Sequence, residues 1–242
     1  MQRPILIIKA GTTVPSVRER HGDFEEWFMR DIGPSADQFV VVDVHAGERP
    51  GAAADYAGVI VTGSSSSMTA EESWYADGLE LLRRAVALDL PTLGVCFGHQ
   101  MLAVALGGRV EKNPKGREIG TVQVELTDAG AADPLFAGLP RAVTVQATHQ
   151  DAVTELPPGA TLLAGNERCP VQAFAIGQSV RAVQWHPEFS RPVIRGYIEA
   201  RAQLLESEGL DPEALWVRAD DTDSGPHILG NFRRSFLEHT RR

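Results

Sequence analysis

Leu90-Pro91-Thr92-Leu93-Gly94-Val95-Cys96-Phe97-Gly98-His99-Gln100 is the stretch from which the rest of the chain is best read. The apolar run 90–95 carries a strand signal, and residues 99–106 follow at once with a helical pattern. Between them stands a cysteine with a glycine two positions before it and another two after. This is the strand–turn–helix pattern G-x-S-x-G with cysteine in the serine's place, a nucleophile elbow. Such a turn holds its central residue in a strained conformation, and flanking glycines leave room for it. A helix that starts just beyond the sulfur turns free N–H groups and its positive dipole end toward it, a setting that favours thiolate over thiol. Cys96 is therefore a candidate nucleophile; a buried core cysteine is the plainer alternative.

Outward from the elbow, the first half alternates strand and helix. Residues 4–10 and 39–45 are apolar runs rich in β-branched types, separated by an amphipathic stretch over 16–32. Residues 58–63 form a third strand that ends in the serine run 64–67. Helical spacing then returns over 73–89, with Trp74, Leu81, Leu82, Val86 and Leu88 at apolar positions. This rhythm predicts an α/β fold: a mostly parallel central sheet with helices on both faces. In the second half, the runs 119–126, 142–148, 160–164, 171–176 and 180–185 are expected as antiparallel strands, added to the sheet's edge or lying across it. A helix is predicted over 191–208, a polar loop over 220–226 and a last helix over 227–242. One domain spans 1–242, with a core over about 1–205 and a helical extension over about 206–242.

The 242 residues suffice for a sizeable core, and 43% hydrophobic with 23% charged content is ordinary for a soluble globular chain. A net charge of -9 argues against nucleic acid and anionic membrane as partners. The apolar part of the N-terminus is too short for a signal peptide. Two cysteines, Cys96 and Cys169, imply no disulfide framework, and a reducing cytoplasm is the expected location. Neither cysteine has another nearby, so zinc-ligand spacing is missing.

A thiol with an ordinary pKa needs a base or cation beside it to act as a nucleophile. Of seven histidines, His186 lies in the most informative setting, Val183-Gln184-Trp185-His186-Pro187-Glu188-Phe189. Pro187 biases His186 toward extended backbone, where residues two apart point the same way. Glu188 can then fix the imidazole's tautomer, which gives the Cys–His–carboxylate logic of a cysteine hydrolase. Trp185 is placed to shield His186 from water. His99 is read as packed in the elbow helix, and Cys169 as a packing residue. Trp27, Trp74 and Trp216 are read as core or interface aromatics. Lys112, Lys115 and Arg117 are read as solvated surface.

The elbow GVCFGHQ together with the distal WHPE resembles the class I glutamine amidotransferase superfamily. Val61-Thr62-Gly63-Ser64 is similar to that family's oxyanion loop, Glu118-Ile119-Gly120 to its E-x-G, and Thr148-His149-Gln150-Asp151-Ala152-Val153 to its (S/T)-H-x-D-x-V segment. The likeness covers residues 1–205 and implies a flavodoxin-like core. It implies catalytic roles for Cys96, His186 and Glu188, and an oxyanion hole from the backbone of Gly63, Ser64 and Phe97. It also implies substrate-binding roles for Gln100, His149, Gln150 and Asp151, although His149 and Asp151 could equally cap a turn and Gln100 could be an ordinary polar residue of the elbow helix. The implied reaction is hydrolysis of the γ-amide of glutamine through a γ-glutamyl thioester, with no metal or organic cofactor. Ammonia would pass to a separate synthase subunit or to water. The run through Gly107-Gly108 and Lys115-Gly116-Arg117-Glu118 is also similar to stand-alone hydrolases of γ-glutamyl peptides. Three readings stay open: glutaminase, γ-glutamyl peptide hydrolase, and non-catalytic binding module on the same fold. The partners they leave open are a second copy of the chain and a separate synthase. The tail's Phe232 and Phe236, four apart, are expected on the sheet or against another subunit.

Overall fold

Alternation along the strands sorts most of their apolar residues into two cores, and a third cluster gathers Phe24, Trp27, Phe189 and Ile194 beside them. In a computed structural model that describes residues 3–33, 36–70, 72 and 74–238, the strands are β1 (Ile5–Lys9), β2 (Phe39–Asp43), β3 (Gly58–Val61), β4 (Thr92–Val95), β5 (Arg109–Lys112), β6 (Glu118–Leu126), β7 (Ala142–His149), β8 (Asp151–Glu155), β9 (Thr161–Gly165), β10 (Ala173–Ile176) and β11 (Val180–Val183). The helices are α1 (Pro15–His21), α2 (Phe24–Ile32), α3 (Tyr75–Ala87), α4 (Phe97–Ala105), α5 (Asp128–Ala132), α6 (Arg191–Ala200), α7 (Ala202–Ser207), α8 (Pro212–Arg218) and α9 (Ser224–Phe232). Ile5 and Ile7 of β1 join one core with Phe28 and Ile32 of α2 and Ile228, Leu229 and Phe232 of α9. Leu6 and Ile8 face the other way, into a core with Leu81 and Leu82 of α3 and Met101 and Leu102 of α4. The period of two along a strand produces this division, and helices cover both faces as expected.

The main sheet has nine strands in the order β2-β1-β3-β4-β11-β10-β9-β6-β7. The pairs from β2 to β11 are parallel, and those from β11 outward are antiparallel. The added strands thus extend the sheet in its own plane. β11 departs from the expected grouping: it is antiparallel to β10 but parallel to β4, and all four of its residues are buried. A separate two-stranded ribbon of β5 and β8 was not expected from the pattern.

Local chemistry sets several boundaries. The amphipathic stretch 16–32 is two helices, broken where Gly22 takes a φ of 83° and Asp23 and Glu26 close a capping box on α2. The stretch 191–208 is likewise two helices, with Arg201 at the joint. In the tail, α9 begins at Ser224, inside the expected loop; Pro226 falls in its first turn, where proline is tolerated. Positions 73 and 239–242 of the expected helices lie outside the described residues.

The tail packs on the sheet. Phe232 and Phe236 stack with centroids 5.4 Å apart within the α2 core. A Cβ at Gly225 would lie 2.1 Å from the Pro187 carbonyl oxygen, so only glycine lets α9 approach the His186 loop this closely. The Arg181 guanidinium stacks 4.9 Å over the Phe236 ring and donates Nε to both Asp133 oxygens at 3.0 and 2.8 Å. The Arg181 and Asp133 side chains are only 5% and 8% exposed. Asp133→Ala would strand that cation in the core and is expected to cost about 3–5 kcal/mol. Urea unfolding checks this; an unchanged midpoint would refute the burial of the pair.

Candidate active site

The elbow forms as its glycines require. β4 ends at Val95, α4 starts at Phe97, and Cys96 between them has φ 52° and ψ -99°, a left-handed conformation that is costly for a side-chain-bearing residue. A Cβ on Gly94 would sit 2.5 Å from the Gly98 carbonyl oxygen, and one on Gly98 would sit 2.5 Å from that of Val61. The two glycines therefore let strand, helix and neighbouring strand close around the cysteine. The Cys96 N–H donates to Val183 O at 2.9 Å, and the Gln100 N–H donates to Cys96 O at 3.1 Å. Cys96 is 6% exposed, with Sγ 4.0 Å from Thr148 O.

His186 follows β11 as Cys96 follows β4, and these strands are parallel neighbours. Both residues thus lie beyond the carboxyl ends of adjacent strands, where open α/β sheets place their ligands. The His186 N–H donates to Gln146 O at 2.8 Å, and its Nδ1 lies 2.7 Å from Glu188 Oε1. Burial pulls the imidazolium pKa down. The charge of Glu188, then the charge and hydrogen bond of Cys96, outweigh burial and hold it up to about 10. The three residues predicted as a triad are therefore brought together.

Shielding of His186 falls to other rings than expected. Phe189 stacks on the imidazole at 4.0 Å and Phe24 at 5.9 Å. Trp185 points into the core instead, 6.0 Å from Phe136, because successive residues of extended chain face opposite ways. Gly63 lies against the same imidazole: a Cβ there would be 2.7 Å from His186 Cε1. Thr62 accepts from the Ala10 N–H at 3.1 Å and donates to Gly63 O at 2.9 Å, fixing the loop after β3. Ser64 and Phe97 line the same cavity as Cys96.

That cavity has a volume of about 520 Å³ and also takes in Gln100, Thr148, His149, Gln150 and Asp151. Thr69, Lys112, Gln150 and Leu204 at its rim are exposed, so it opens to solvent. Gln100 Nε2 donates to Asp151 O and to Gln184 Oε1, both at 3.1 Å. Both His149 ring nitrogens are engaged, Nδ1 with Asp151 O and Nε2 with Glu118 Oε2, each at 3.0 Å. Glu118 also accepts from Gln172 at 2.6 Å and Asn166 at 2.7 Å. Burial pushes the Glu118 carboxyl up, but these hydrogen bonds prevail and hold it below its ordinary value. His149 is thus a fixed part of the cavity wall, and Glu118 braces it from behind. Asp151 accepts a short hydrogen bond from Ser67 Oγ, which ties the serine run to the same wall.

Among the described residues three cations line the cavity, none of them expected there: Lys112, Arg117 and Arg201. Arg117 is not solvated surface: its side chain is 10% exposed and paired with Glu208. Arg201, at the α6–α7 joint, reaches Thr148 Oγ1 at 2.7 Å. Cys169 and His99 are packing residues, as read: burial pushes the Cys169 thiol up to about 12 and the His99 imidazole down to about 3. Trp27 is buried, Trp74 is half-buried, and Trp216 is 38% exposed beneath Arg195.

The chain is similar to known proteins in sequence and in fold. The model of the family described as "Glutamine amidotransferase class-I" matches residues 24–198. Gamma-glutamyl peptidase 3 of Arabidopsis thaliana is 27% identical over 81% of this chain and 81% of its own length. The glutamine-hydrolyzing GMP synthase subunit of Halobacterium salinarum is 34% identical over 71% of this chain and 87% of its own. A solved glutamine amidotransferase from Thermotoga maritima superposes with a TM-score of 0.74 at 24% identity, covering 99% of each chain, and shares the fold.

Proposed function

The chain belongs to the glutamine amidotransferase class-I family, and on that premise we propose that it hydrolyses γ-glutamyl amides with Cys96 as nucleophile. What carries the reading is the alignment of Cys96, His186 and Glu188 at the carboxyl ends of adjacent strands, beside a cavity open to solvent. The Cys96 sulfur attacks the γ-carbonyl carbon, and the C–O π pair moves onto oxygen. The backbone N–H groups of Gly63 or Ser64 and Phe97 receive that oxyanion; a donor of this kind is worth about 2.7–4 kcal/mol in the transition state.

As the tetrahedral intermediate collapses, the C–N bond breaks and His186 gives its proton to the departing nitrogen. The charge on Cys96 helps to hold that proton. Thioester formation removes that charge, so the imidazole releases the proton when the amine needs it. It is then free to take one from the water that hydrolyses the thioester. Glu188 holds the ring by Nδ1 throughout.

The solvent-open cavity favours a leaving amine larger than ammonia, hence a γ-glutamyl peptide. The likeness to a glutamine-hydrolyzing GMP synthase subunit favours a second reading, in which glutamine is the substrate and ammonia passes to a separate synthase chain. The deciding experiment follows glutamate and amine release from L-glutamine and from γ-glutamyl dipeptides, with mass spectrometry of the intact chain under both. The expected result is turnover of the dipeptides with a γ-glutamyl adduct on Cys96. Turnover of glutamine alone would transfer the proposal to the second reading, and release from none would overturn hydrolysis altogether.

A further inference from the structure

Lys112, Arg117 and Arg201 all line the cavity that holds Cys96. The charge of Arg117 is already answered, with Nε and Nη2 at 2.9 and 3.0 Å from the Glu208 oxygens. Lys112 is exposed at the rim. Arg201 differs from both. It is half-buried where α6 passes into α7, and its Nη1 donates to Thr148 Oγ1 while its guanidinium lies 4.8 Å over the Tyr197 ring. Both of those partners are neutral. Among the described residues no carboxylate forms an ion pair with Arg201. Its nearest acid in sequence, Glu199, is exposed and engaged with Arg20 and Trp216.

The charges of Cys96 and of Glu208, which Arg117 already holds, act on Arg201 without pairing with it. A guanidinium withdrawn from water with no anion against it is costly, and the cost is offset when a ligand supplies one. Thr148 and Tyr197 fix the plane of the fork, and one Nη1 hydrogen bond leaves further N–H donors uncommitted. Thr148 also presents its carbonyl to Cys96 Sγ, so the arginine is one residue removed from the reacting atom. We propose that Arg201 seats a carboxylate of the γ-glutamyl substrate within the cavity it shares with Cys96. The assignment rests on the γ-glutamyl reading above. Two carboxylates have the right chemistry: the α-carboxylate of the glutamyl residue, which every substrate carries, and the carboxylate of the leaving amino acid, which only peptides carry.

The test pairs each carboxylate with a compound lacking it. L-glutamine is compared with L-glutaminamide, and γ-glutamylglycine with γ-glutamylethylamide. KM and kcat are measured on the chain and on Arg201→Gln and Arg201→Lys, and dissociation constants are measured by calorimetry on the same substitutions in Cys96→Ala. In the parent chain the carboxylate-bearing member of one pair is expected to bind about tenfold to a hundredfold more tightly. Arg201→Gln should abolish that preference, with KM rising more than kcat falls, while Arg201→Lys should retain part of it. Collapse of the glutamine pair assigns the glutamyl carboxylate, and collapse of the γ-glutamylglycine pair assigns the leaving residue's. A merely structural arginine would weaken both members of each pair alike. Equal losses across each pair, or no binding of any of the four compounds, would overturn the assignment. Intact carboxylate preferences without turnover by the Cys96 chain would overturn the hydrolytic reading and leave Arg201's role standing.

Discussion

Cys96→Ala is expected to lower turnover of any γ-glutamyl substrate by about four orders of magnitude or more, since removing a nucleophile that acts as a unit with its base leaves only binding and oxyanion stabilisation. The fold should survive. Cys96 is anchored by backbone bonds, donating to Val183 O and accepting from Gln100 N–H; alanine keeps both, and a small side chain in its place in the core. Alanine also retains the strained φ of 52°, so that cost is unchanged. Glycine at the same position relieves it. Cys96→Gly is therefore expected to be at least as stable as Cys96→Ala, with a margin of about 1 kcal/mol, while equally inactive. The elbow would then be storing strain to aim the sulfur. The measurements are product release and urea unfolding of both variants. Turnover of Cys96→Ala near the parent rate would exclude this cysteine as nucleophile.

The elbow is legible in the sequence because everything that makes it is local: an apolar strand, two glycines and a helix within a dozen residues. His186 and Glu188 are legible for the same reason, since Pro187 sets the backbone that lets Glu188 reach the imidazole. Contacts between segments far apart in the chain leave no such trace. Arg117 meets Glu208 91 positions away and Arg201 meets Thr148 53 away, and nothing beside any of these residues announces its partner. β5 escapes notice because three of its four residues, Arg109, Glu111 and Lys112, are charged and exposed. It exists through pairing with β8, not through propensity. Trp185 fails as a shield for the opposite reason: the period of two that puts His186 in the site must turn its neighbour away.

Glu188→Gln is expected to reduce kcat/KM about ten-thousandfold at neutral pH, about 5.4 kcal/mol of transition-state stabilisation. The amide has nearly the carboxylate's shape, so packing against Phe189 and the His186 loop should persist. What changes is charge and donor direction. An amide can offer Nδ1 an N–H instead of an acceptor, which stabilises the wrong imidazole tautomer and misdirects the proton needed by the leaving amine. The same substitution removes the largest influence that raises the His186 pKa from its ordinary 6.5 to about 10. With a folded value above the unfolded one, the stability that protonated His186 contributes is fully present below about pH 6.5 and is lost as pH rises toward 10. Without Glu188's charge that window narrows to what Cys96 sustains. The parent chain should therefore exceed Glu188→Gln in stability most clearly at the acid end of this range, where the buried imidazolium keeps the Glu188 counter-charge only in the parent. The two unfolding curves should converge as pH approaches 10. Imidazole titration by NMR and urea unfolding at several pH values check both statements. A His186 pKa unmoved by the substitution, or a variant that keeps the parent's kcat/KM, would mean that Glu188 neither orients nor charges the histidine beside Cys96.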